Sequence, residues 1–149
     1  MQPMVTLPRD ASTRQIFIWE RHIMRIAAQY PSDPLRHTGA PGRQHPFDSA
    51  EEAWLWTMAA LIARREGARY TAGKGLVSRP CDPDDVVKCL EGLYRQRRID
   101  LAHARVLRIW GERQITPSCV VVAERFDYKL WTEALGRLEW PLRIKGIVV

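Results

Sequence analysis

Cysteine is scarce in this chain: Cys81, Cys89 and Cys119 are the only three in 149 residues. An odd number at these spacings is unlike a disulfide framework and points to a reducing compartment. Zinc sites draw two ligands from one loop, two to four residues apart, and Cys81, Cys89, His103 and Cys119 offer no such pair. Long apolar runs are missing too. No stretch approaches the ~18 apolar residues of a membrane span, and Met1 to Asp10 lacks the apolar core of a signal peptide. The expectation is a cytoplasmic protein that makes no use of a membrane. Lysine is rare, with four residues against 19 arginines, and neither internal repeats nor low-complexity segments occur.

What is present is globular in character. Hydrophobic residues make up 46% and charged residues 27%, and the length suits one domain with a core of its own. Six tryptophans at positions 19, 54, 56, 110, 131 and 140 must be packed or offered to a partner. A net charge of +6 favours a polyanion. Arginine forks suit phosphate and guanine edges, although a GC-rich coding sequence raises arginine with no functional cause.

The pattern of apolar residues predicts a mainly α fold, a compact bundle of about five helices. Residues 1–46 read as an N-terminal arm, an amphipathic helix over about 12–29, and a Pro/Gly-rich linker; residues 47–149 read as the helical globular domain. Ser49-Ala50-Glu51-Glu52 has the capping-box form and precedes an apolar-periodic run that lasts to Gly67. Asp82 can cap a second helix, with Pro83 in its first position and Asp84 and Asp85 at the positive end of its dipole. Asp100 caps the next helix and Gly111 is its expected stop. Cys119-Val120-Val121-Val122 is β-prone, so a short strand or hairpin is allowed near 115–123 and at the C-terminus. A last helix opens at Asp127 and closes at Trp140-Pro141. The apolar tail after it is expected to dock on the body or pair as a terminal strand.

Catalytic patterns are wanting. Neither Gly-x-Ser-x-Gly nor His-Glu-x-x-His occurs. The stretch Gly67 to Gly75 resembles a phosphate-binding loop only loosely, because its glycines are spaced by five residues and Gly75 stands where a hydroxyl should. It reads as a basic loop in which Arg69, Lys74 and Arg79 have access to phosphate. No cofactor or metal is implied, and the chain does not read as an enzyme.

The densest basic stretch lies on the two helices expected over 83–111. Arg95, Arg97, Arg98, Arg105, Arg108 and Arg113 stand there with only Asp100 and Glu112 as acids between 95 and 113. Two short helices on a tight turn form the scaffold of a helix-turn-helix. At 100° per residue the second helix places Ala102, His103, Val106, Leu107, Ile109 and Trp110 on one side, with Arg105, Arg108 and Glu112 opposite. The segment Ile99-Asp100-Leu101-Ala102-His103-Ala104-Arg105-Val106-Leu107-Arg108-Ile109-Trp110-Gly111 resembles the opening helix of sigma-factor and LuxR-type DNA-binding domains, with a Val-Leu pair ahead of a helix-ending Gly. The resemblance covers these thirteen residues. Where that family continues into a polar DNA-reading unit, this chain has Cys119 to Val122 and a Trp-bearing helix.

Two functional expectations follow, with an enzyme that uses the Gly73-Lys74-Gly75 loop as a weaker third. The first is a small DNA-binding or transcription-related protein that contacts nucleic acid, DNA in preference to RNA, through the six arginines. The second is a non-enzymatic adaptor or structural protein whose Trp-bearing helices, chiefly 49–65 and 127–138, meet a protein partner or a second copy. A solvated basic surface on an ordinary helical hairpin accounts for the same charge run.

Overall fold

In the computed structural model, which describes residues 44–66 and 78–149, four helices form a mainly α fold. They are α1 (Ala50–Arg65), α2 (Pro83–Arg95), α3 (Leu101–Arg113) and α4 (Arg125–Ile144), with a 3-10 turn at Val122–Glu124 ahead of α4. The chain divides into two units, Met1–His37 and Thr38–Val149, and all described residues belong to the second. The helix expected over 12–29, and the loop from Gly67 to Gly75, lie outside the described residues.

The helix starts follow from local chemistry. Ser49 Oγ accepts from the Glu52 amide at 3.2 Å, while the Glu52 carboxylate turns back to the amide of Asp48 at 2.9 Å. At α2, Asp82 and Asp85 form the reciprocal capping box with Pro83 in the first turn. At α3, Asp100 Oδ1 accepts from the amides of Ala102 and His103.

Packing then fixes the bundle. α1 contacts the other three helices, and α4 contacts all three as well. Three buried tryptophans stitch helix to helix through their indole N–H groups. Trp54 of α1 donates to the Leu107 carbonyl of α3 at 3.0 Å, Trp110 of α3 to Asp127 of α4 at 3.0 Å, and Trp131 of α4 to Glu51 of α1 at 2.9 Å. Each ring thus fills core volume without stranding its polar atom. Phe47 is buried under Trp56, ring centroids 5.2 Å apart.

Two helix ends differ from expectation. α3 runs past Gly111 to Arg113, because Gly111 faces the core and α1 presses on it: a Cβ there would lie 2.6 Å from Met58 Cγ. The left-handed residue that ends α3 is Gln114, at φ 56°. α4 does not close at Trp140-Pro141 but carries Pro141 within it and continues to Ile144. Its last turn is held by Leu142, fully buried, and by a Schellman-type end in which Gly146, at φ 70°, lets the Ile147 amide reach back to the Leu142 carbonyl at 2.9 Å. The valine run forms no strand. Strands require a neighbour, and the elements described around it are helices; Val122 instead begins the 3-10 turn, with the Glu124 amide bonded to the Val121 carbonyl at 3.0 Å. The tail contributes one parallel bridge, Val148 to Phe47. Among the described residues no helix is long and apolar enough to cross a membrane.

Candidate nucleic-acid interface

The six arginines expected to form one basic face divide into three groups. Arg95 ends α2, and Arg97 and Arg98 lie in the five-residue turn before α3, all three exposed. Arg105 stands at the centre of the solvent side of α3. Arg108 and Arg113 fall on opposite flanks of that helix, and Arg113 lies ~18 Å along the axis from the turn, at 1.5 Å per residue. The turn and Arg105 therefore form the most coherent basic surface, and Arg113 stands apart.

Their electrostatic situations differ as well. Arg95 is paired with Glu91, and the guanidinium of Arg113 lies over the Trp110 ring, 5.1 Å from its centroid. Among the described residues Arg97, Arg98, Arg105 and Arg108 have no carboxylate within ion-pair distance. The nearby acids are engaged elsewhere: Glu112 with Arg65 at 3.7 Å, and Asp100 with the α3 N-terminus. Arg108 is half-buried, with its Nε enclosed and no hydrogen-bond partner.

Arg97 adopts a left-handed backbone, φ 56°, at the position after the α2 cap where glycine is the usual occupant. Its amide bonds the Tyr94 carbonyl at 2.9 Å, and the Arg98 amide reaches the Leu93 carbonyl at 2.9 Å. Ile99, buried, anchors the turn from inside. This arrangement turns the two cations of Arg97 and Arg98 outward on a well-tied backbone.

One feature that the spacing rules did not reveal fixes the turn against α4. His103 is buried, 6% exposed; its Nδ1 lies 2.9 Å from Asp100 Oδ1 and its Nε2 lies 3.1 Å from Glu133 Oε2. Arg137 Nη1 donates to the Arg98 carbonyl at 2.8 Å and lies 3.4 Å from the same Nε2. Burial works to raise the Asp100 carboxyl, yet the backbone and ring hydrogen bonds of His103 outweigh it and hold the group below its ordinary range. Glu133 is likewise held low, mainly by its hydrogen bond to His103, with Lys129 and Arg137 adding to it. The signal for this clasp was the Glu133/Arg137 pair four residues apart, but that pattern does not name its partner 30 residues earlier.

Other candidate groups are engaged in the fold. Arg79, expected to have access to phosphate, is instead bonded to Glu52 at 2.8 Å and stacked on the Phe47 ring, 4.2 Å from the centroid. The Cys81 thiol is pushed up to about 12 by burial, then by Asp85 and Asp82, and burial also raises Cys89; both are poor nucleophiles. Ala102 is exposed and Ala104 buried, the reverse of the helical projection for the first and an addition to it for the second. Compared with family models, with curated proteins and with solved structures, the chain matches none.

Proposed function

We propose that the protein is a small DNA-binding protein that contacts the phosphate backbone through the turn between α2 and α3 and the outer side of α3. Arg97, Arg98 and Arg105 are the principal contacts, Arg95 and Arg108 secondary, and Arg113 peripheral. The observation that carries this reading is the set of exposed guanidinium groups that have no carboxylate partner among the described residues while the neighbouring acids are engaged. Unpaired surface cations retain their full attraction for phosphate, and each one neutralised on DNA releases a counterion. The left-handed Arg97 supports the same reading, since a cation stands where the backbone favours glycine.

The test is a salt titration of binding to random-sequence duplex DNA. Affinity should fall steeply between roughly 50 and 200 mM salt, with a log–log slope of about −3 or steeper for several phosphate contacts. Arg97→Gly with Arg105→Ala should cost ~10-fold or more and flatten the slope by about two, whereas Arg14→Ala with Arg21→Ala should change both much less. Arg97→Gly suits the backbone at that position, so a loss of binding would not come from unfolding. No binding at 50 mM salt, or equal effects of the two pairs, would sink the proposal.

A further inference from the structure

α4 presents to solvent a face that no other described element covers. Trp140 is 64% exposed and Ile144 68% exposed, one turn apart, and Gly136 lies one turn before Trp140 on the same side of the helix. Gly136 is unlike Gly111. Among the described residues a Cβ at Gly136 would meet nothing within 4 Å, and its backbone is helical, so neither a tight contact there nor a left-handed conformation requires glycine. Glycine at an exposed helix interior weakens the helix. The Trp140 ring does not fold back over its own Gly136, because that Cβ position is empty. The helix thus carries a large apolar knob and a bare hollow four residues apart, both facing outward.

We propose that this face is a self-association surface, on which two copies of the chain pair their α4 helices antiparallel about a two-fold axis that crosses the exposed side of the helix midway between Gly136 and Trp140. That axis relates position 140 of one copy to position 136 of the other, so both tryptophans enter both hollows at once, as an isologous interface requires. The paired segment is 132–144, ~20 Å long at 1.5 Å per residue. Charge supports a second copy over an anionic partner here: the segment's charges are Glu133, Glu139, Arg137 and Arg143, which cancel in a chain of net charge +6. Arg143 is already bonded to Glu139 at 2.7 Å, so no net repulsion opposes the pairing. One helix pair covers less than the ~800 Å² per partner of standard complexes, which makes the dimer weak and concentration-dependent. The inference is independent of the nucleic-acid reading, which concerns α2 and α3.

Sedimentation equilibrium of the full chain, at loadings from roughly 10 to 500 µM, tests it through an exchange of knob and hollow. The wild type should pass from monomer towards dimer over this range. Trp140→Gly, and separately Gly136→Trp, should each weaken association by ~10-fold or more. The double variant Gly136→Trp with Trp140→Gly should regain it, because the two-fold again sets tryptophan over glycine. Both positions are exposed, and unchanged helical circular dichroism verifies each fold; should either single variant lose helicity, Trp140→Ala and Gly136→Leu replace them with the same expected loss. A monomer at every loading, assembly beyond the dimer, single variants that associate like the wild type, or a double variant no better than the singles would each overturn the proposal.

Discussion

A methyl group at position 111 would sit 2.6 Å from Met58 Cγ and 3.1 Å from Trp54 Nε1. The tryptophan has little room to yield, because that nitrogen is bonded to the Leu107 carbonyl. Gly111→Ala is therefore expected to destabilise the protein by ~1–3 kcal/mol through overpacking, against a gain of about 1 kcal/mol in helix propensity. Urea denaturation should show a net loss; a gain would mean that α1 and α3 cross less closely. In the sequence Gly111 reads as a helix stop, since glycine after a periodic run has that form. Nothing local distinguishes a glycine that ends a helix from one on which another helix presses, because the pressing residues, Met58 and Trp54, lie some fifty positions away. The same holds for the tryptophans: their number announced a core, but their hydrogen-bond partners became visible only with the helices in place.

Starts of elements were more legible than ends, except that α4 opens at Arg125, two residues before the expected Asp127 and with no side-chain cap. The caps at Ser49, Asp82 and Asp100 act within three residues of themselves, so their chemistry is written where it operates. The end of α4 is set by Leu142, Ile147 and Val148 seating in the core, and that burial carries the helix through Pro141 despite the lost donor. Between elements, the clasp of Asp100, His103, Glu133 and Arg137 joins the basic turn to α4. Asp100 and Glu133 are both held below their ordinary values of 3.8 and 4.5 in the folded protein. The unfolded chain then binds more protons than the folded one through the carboxylate range, so the stabilisation is complete above that range and is lost as pH falls through it. The thermal midpoint should drop between roughly pH 5 and pH 3. In Asp100→Asn with Glu133→Gln that part of the drop should shrink, since asparagine keeps the cap without the charge. An unchanged acid limb in the double variant would remove the clasp as its source. The arginines were expected on two helices over 83–111, but Arg97 and Arg98 fall in the turn between them and Arg113 lies past the expected stop; their division into a coherent group and the outlying Arg113 depends on helical phase and packing, which residue spacing alone left undivided.

The chain ends of the described unit are joined to each other. The Phe47 amide donates to the Ile147 carbonyl at 2.8 Å and the Val149 amide to the Phe47 carbonyl at 3.0 Å, with Phe47, Ile147 and Val148 all buried. An apolar tail could be read as one that docks or pairs, and it does both; its partner, a hundred positions earlier, could not be read at all. This closure makes the last three residues matter out of proportion to their number. Burial of Ile147 and Val148 contributes ~1.5–3 kcal/mol each, and the two backbone bonds ~0.5–1.5 kcal/mol each. Deletion of 147–149 should therefore cost on the order of 5 kcal/mol, a large share of the ~5–15 kcal/mol that holds a typical domain folded. The expected outcome is a chain with a broad or absent thermal transition. Val149→Ala, which keeps the amide and changes a side chain 68% exposed, should stay within ~0.5 kcal/mol of the wild type. If the truncated protein melted like the full chain, the bundle of α1 to α4 would be self-sufficient and the joined ends only an ornament of it. If Val149→Ala proved as damaging as the deletion, the side chain and not the bridge would be what closes the molecule.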